Sequence, residues 1–117
     1  MANTKTADKY TPEAIERAKA TLRDFYDWRH DNPTAWAWGV RFAIEENKAG
    51  HHVGGSTVIE AIRNHDFADR YGRPTKPNNN FKAIVARILL RQYPELSGRI
   101  ELRKSVFDLL IGASAND

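Results

Sequence analysis

Apolar residues recur at intervals of three and four in four stretches of the chain, and most stretches carry their own start or stop signal. Ile15, Ala18, Leu22, Phe25 and Tyr26 form the first stripe, with Glu16, Arg17, Arg23, Asp24 and Asp27 on the remaining sides. Thr11 offers an N-cap in front of it, Pro12 suits the first helical position, and Glu13 and Glu16 favour the positive helix end. Asn32-Pro33 repeats the device, stopping this helix near His30 and opening a second through Trp36, Val40, Ala43 and Ile44, closed at Gly50. Trp38 and Phe42 lie on a neighbouring flank. The second helix is therefore apolar over more than one side, and its aromatic residues are expected to pack inside.

The segment GHHVGGS (50 to 56) carries three glycines and reads as a turn or short extended piece. Thr57 and Glu60 have capping-box spacing, which predicts a third helix over 58 to 67 that buries Val58, Ile59 and Ile62. The run ADRYGRPTKP (68 to 77) predicts a loop. A fourth helix follows, with Phe81, Ile84, Val85, Ile88 and Leu89 in the strongest helical period of the chain, ended by Tyr93-Pro94. Ile100 and Leu102 then alternate with Arg99, Glu101 and Arg103, a short strand signal. Ser105 and Asp108 have the spacing to cap a last helix through Val106, Leu109 and Leu110, although the second strand of a hairpin would use the same apolar residues.

These elements predict one domain over 11 to 112, with residues 1 to 10 and 113 to 117 as flexible ends. A chain of 117 residues is long enough to bury a single modest core. Hydrophobic residues at 41% and charged residues at 28% are ordinary globular values, and no apolar run approaches the roughly 20 residues that cross a bilayer. The N-terminus lacks an apolar secretory core, and there are no cysteines. The chain reads as a soluble, cytoplasmic protein without disulfides.

Net charge is +3, but its distribution says more. Residues 1 to 60 hold eight Lys/Arg against nine Asp/Glu, whereas residues 61 to 117 hold ten against six. A basic second half suits phosphate backbones, or simply a solvated surface. Asn78, Asn79 and Asn80 stand directly before the fourth helix. One asparagine suffices as N-cap, so the others serve a turn or touch a ligand, since asparagine also bonds adenine edges and phosphate oxygens.

The order of short apolar helix, loop, capped apolar helix and alternating basic segment resembles a winged helix-turn-helix over residues 50 to about 110. More narrowly, STVIEAIRNHDF, PNNNFKAIVARILL and YPELSGRIELR resemble a group of small phage and prophage proteins of unassigned activity. The shared features are Asn78 to Phe81, the pair Ala86-Arg87, and Tyr93 to Glu95. The fold class expected is mainly α, a helical bundle with a winged-helix-like C-terminal half. The function that the resemblance implies is binding of duplex DNA by a small phage or prophage regulator or accessory factor.

On that reading the fourth helix enters the major groove, with Asn78, Asn79, Lys82, Arg87 and Arg91 as first contacts. Arg73 and Lys76 in the preceding loop, which also holds Arg70, and Arg99, Arg103 and Lys104 in the wing would take phosphates. Advancing about 100° per residue from Phe81 sets Ala83, Ala86, Arg87 and Leu90 opposite the core, with Lys82 and Arg91 on the flanks. That small, partly apolar face could lie against a groove, but it speaks against DNA contact and favours a dimer or a fully buried fourth helix. The competing reading is therefore a protein-binding accessory factor or inhibitor. It would use the Trp36-Trp38-Phe42 flank or the Ala83-Ala86-Leu90 face against a host protein or in a homodimer.

Catalysis is not expected. His51-His52 and the group His65, Asp66 and Asp69 lack helical metal spacing, no P-loop or nucleophile elbow occurs, and the glycines at 50 to 55 match no dinucleotide fingerprint. Asp24-Asp27 and Glu45-Glu46 read as solvated helix faces. No cofactor and no metal are expected.

Overall fold

A computed structural model describes residues 10–96, 100, 102 and 104–111. Helix α1 (Pro12–Asp31) begins as the sequence predicts, with Thr11 Oγ1 accepting from the Ala14 amide at 3.1 Å. Such a cap contributes about 1 kcal/mol. Ala18 and Phe25 are buried and Leu22 and Trp28 pack beside them, but Tyr26 is 40% exposed and leaves the expected stripe.

Asn32 is the N-cap residue of the second helix but makes no side-chain cap bond to it. Its Nδ2 instead donates to Trp28 O at 2.7 Å and closes α1 from behind. Helix α2 (Pro33–Lys48) buries Ala35, Gly39 and Ala43, a line of small residues spaced by four, while Trp36, Trp38, Val40 and Phe42 lie half-buried on its flanks. Small residues let the backbones approach. A Cβ on Gly39 would stand 2.7 Å from Ile62 Cδ1 on the next helix.

Helix α3 (Gly55–Arg63) starts before the expected residue 58 and ends before Phe67. Gly54 is the N-cap without a side-chain bond, so the Thr57-Glu60 capping box does not form. Tertiary packing moved the boundary. The Gly55 backbone lies against the start of the fourth helix so closely that a Cβ there would stand 1.8 Å from Lys82 O. Glycine alone permits that crossing.

The predicted loop at 68 to 77 is a β-hairpin. Strand β1 (Phe67–Ala68) pairs antiparallel with β2 (Pro74–Thr75), Phe67 opposite Thr75 and Ala68 opposite Pro74. The hairpin therefore precedes the fourth helix. Where the wing was expected, residues 99, 101 and 103 lie outside the described residues, and the alternative left open at 106 to 110 resolves as helix.

Helix α4 (Lys82–Gln92) is the centre of the fold. Phe81, Ile84, Val85, Ile88 and Leu89 are buried as expected, but so are Ala86 and Arg87 on the opposite side. That second side is covered by helix α5 (Phe107–Ile111). The Ser105-Asp108 cap forms: Ser105 Oγ accepts from the Phe107 amide at 3.2 Å, and Asp108 Oδ2 accepts from the Ser105 amide at 3.0 Å. The protein is thus mainly helical with one small antiparallel sheet. No described helix is long and apolar enough to cross a membrane.

Candidate nucleic-acid interface

Between α3 and α4 the chain carries Arg63, Arg70, Arg73, Lys76 and Lys82 against only Asp66 and Asp69. The hairpin displays two of these cations at its tip, and that tip is held from within. Asp69 Oδ1 accepts from the Tyr71 and Arg73 amides, both at 2.9 Å, while Oδ2 lies 3.3 Å from Arg73 Nε. The Asp69 amide bonds Arg73 O and the Gly72 amide bonds Asp69 O, with Gly72 at φ 80°, a conformation glycine takes without strain. One carboxylate thus organises five consecutive residues. The Arg73 amide chiefly, with help from the Tyr71 amide and the Arg73 guanidinium, holds the Asp69 carboxyl below its ordinary pKa against an opposing desolvation.

Three braces fix the hairpin to the helices. The Arg70 amide donates to Asp31 O at the end of α1, at 2.7 Å. The Trp38 ring meets His65 at 4.2 Å and Phe67 at 5.6 Å between centroids, and His65 Nδ1 donates to Ala61 O. Lys76 Nζ donates to Arg63 O, the last carbonyl of α3, and to His65 O just beyond it, and Arg63 Nη1 donates to Pro77 O at 2.6 Å. Trp38 therefore serves the hairpin rather than a free flank.

The asparagine triplet is mostly local. Asn78 Oδ1 accepts from the Asn80 amide at 3.0 Å and opens a 3-10 turn, Asn79–Phe81, that runs into α4. The cap is Asn78, and all three asparagines are exposed. Phe81 drives this turn against the C-terminal half of α1, its ring 5.5 Å from Phe25 and 6.3 Å from Trp28. The same half of α1 receives Arg70, so the triplet and the hairpin tip rest on one support.

Of the expected contacts on α4, Lys82 and Arg91 are exposed and Arg87 is not. Arg87 is 2% exposed, with Nε 2.7 Å from Asp108 Oδ1 and Nη1 donating to Ala83 O, so it is not on a surface that DNA can reach. Arg91 Nη1 donates to Ile111 O at 2.9 Å. Both arginines hold α5 against α4. Lys76 is exposed but engaged as a helix cap, Arg73 is exposed and paired with Asp69, and Lys82 and Lys104 are exposed. Arg99 and Arg103 lie outside the described residues.

Sequence reasoning passed over Tyr71, which is 62% exposed at the tip with the Arg73 guanidinium 5.1 Å from its ring centre. An aromatic residue between arginines in a turn was the available signal. Among the described residues no group of three His, Asp or Glu side chains could hold a metal ion. No family model, no curated protein and no solved structure matches the chain.

Proposed function

We propose that the protein binds DNA through the β1–β2 hairpin and the adjoining Asn79–Lys82 turn, not through an exposed recognition helix. The observation that carries this reading is the braced tip, which presents Arg70, Tyr71 and Arg73 on a backbone fixed by Asp69. Preorganised cations lose little freedom on meeting phosphates, and the hairpin takes the part of a wing although it precedes α4. Asn79 and Lys82 extend the surface along the start of the helix. The setting proposed from the resemblance is a phage or prophage regulator or accessory factor in the cytoplasm.

The protein-partner reading is weaker on specific grounds. Trp38 and Phe42 stack on each other, with His65 and Phe67 packed onto Trp38, and Ala86 is buried under the C-terminal segment. Both surfaces suggested for a partner are substantially occupied by the chain itself.

Fluorescence anisotropy of a labelled duplex tests the proposal. Contact from Arg70, Arg73 and Lys82 gives log K falling against log salt with a slope of about −3. Arg70→Glu with Lys82→Glu is expected to abolish binding at moderate salt without lowering thermal stability. A duplex left unbound at low salt would overturn the reading.

A further inference from the structure

The tip offers more than charge. Tyr71 and Tyr26 are the two large apolar side chains that stand exposed among the described residues, and Tyr71 is the more exposed. Tyr71 projects from a turn whose amides at 71 and 73 are both tied to Asp69 Oδ1. The Arg73 guanidinium lies over the ring, and its Nε is 3.3 Å from Asp69 Oδ2. Beside them Gly72 is open: apart from its two chain neighbours, no atom lies within 4 Å of where its Cβ would be. No other aromatic ring of the described residues packs against Tyr71. A rigidly mounted ring with cations on either side of it in sequence serves a flat π partner better than it serves a phosphate alone.

Nucleobases are such partners, but in a duplex both faces of each base are already covered by neighbours. Stacking on Tyr71 inside a duplex would require a step to be unstacked first, which opposes binding. An unpaired base needs no such opening. We infer that the hairpin tip recognises unpaired nucleotides, with Tyr71 stacking on a base while Arg70 and Arg73 hold the flanking phosphates. The inference rests on the nucleic-acid reading and sharpens it: the preferred ligand is single-stranded nucleic acid, including the unpaired part of a gapped or forked molecule.

Three labelled probes about 20 nucleotides long, oligo(dT), oligo(rU) and a blunt DNA duplex, separate the outcomes when titrated with the full chain. The expected result is at least tenfold tighter binding of oligo(dT) than of the duplex. Tyr71→Ala should lose about tenfold on oligo(dT) and less than twofold on the duplex, while Tyr71→Phe keeps the wild-type preference. Tyr71 is exposed, so both variants should melt with the parent, and a melting curve checks this. Tighter binding of oligo(rU) than of oligo(dT) would support stacking but assign the ligand as RNA. Equal or better binding of the duplex, unaffected by Tyr71→Ala, would overturn this inference and leave the duplex reading standing. No binding to any probe at low salt would overturn both.

Discussion

Arg87 Nε lies 2.7 Å from Asp108 Oδ1, a pair that joins the middle of α4 to the first turn of α5 across 21 residues. The guanidinium is almost wholly buried, whereas the carboxylate side chain keeps 22% of its exposure. The other carboxylate oxygen caps the Ser105 amide. One aspartate therefore starts α5 and ties it down.

Removing the carboxylate should release that segment. Asp108→Ala leaves a buried cation short of its partner and a helix without its cap, at a cost of about 2–4 kcal/mol. Urea unfolding measures it, and a loss under about 1 kcal/mol would mean that the Arg87–Asp108 pair adds little to holding α5. Arg87→Met should cost less in the Asp108→Ala background than in the parent, because the pair between the two side chains is already lost there.

The two adjacent glycines of α3 should behave in opposite ways. Gly55→Ala drives a methyl into Lys82 O, a backbone atom that cannot rotate aside, and is expected to destabilise by about 3 kcal/mol or more. Gly54 has φ −110° and ψ 165°, open to any side chain, with its nearest neighbour atom at 3.8 Å. Gly54→Asp adds the missing N-cap and should stabilise by about 0.5 kcal/mol. Thermal melts of the pair decide whether the α3–α4 crossing depends on the absence of a Cβ.

Two lysines both expected to touch nucleic acid should separate. Lys76→Met removes the ammonium from the carbonyls of Arg63 and His65 and should cost about 1 kcal/mol of stability. Lys82→Met touches no such partner and should leave stability within about 0.5 kcal/mol. Its effect should appear in nucleic-acid affinity instead.

The hairpin tip should resist acid longer than a free aspartate would allow. A carboxyl whose folded pKa is depressed contributes order that is present above its unfolded value and is lost as pH falls through the folded one. The Tyr71 and Arg73 amide resonances should therefore hold their positions down to about pH 4, the ordinary aspartate range, and move only below it. Movement centred at or above that range would show that Asp69 does not organise the turn. Asp69→Asn should abolish the acid titration altogether.

Local chemistry made much of the helical skeleton readable from sequence. Thr11-Pro12 and Asn32-Pro33 punctuate α1 and α2, and the stripe from Phe81 to Leu89 marks the core face of α4, because caps, proline and helical periodicity act within a few residues. The Ser105-Asp108 cap was readable for the same reason. What lies on the other side of a helix is not local. Arg87 carries no sign in its neighbours that Asp108 will cover it, and Thr57-Glu60 carries none that the helix begins earlier, where Gly55 meets Lys82.

The hairpin shows the division most plainly. Its strands are two residues each and one contains proline, so periodicity had nothing to register. It exists because Asp69 closes the turn while Asp31, Trp38 and the carbonyls of α3, distant in sequence, hold it in place. The sequence alone determined where the first four helices lie and that the second half is basic. Only the tertiary structure decided which cations are presented and which are consumed in packing, because burial is settled by the contacts of the whole chain.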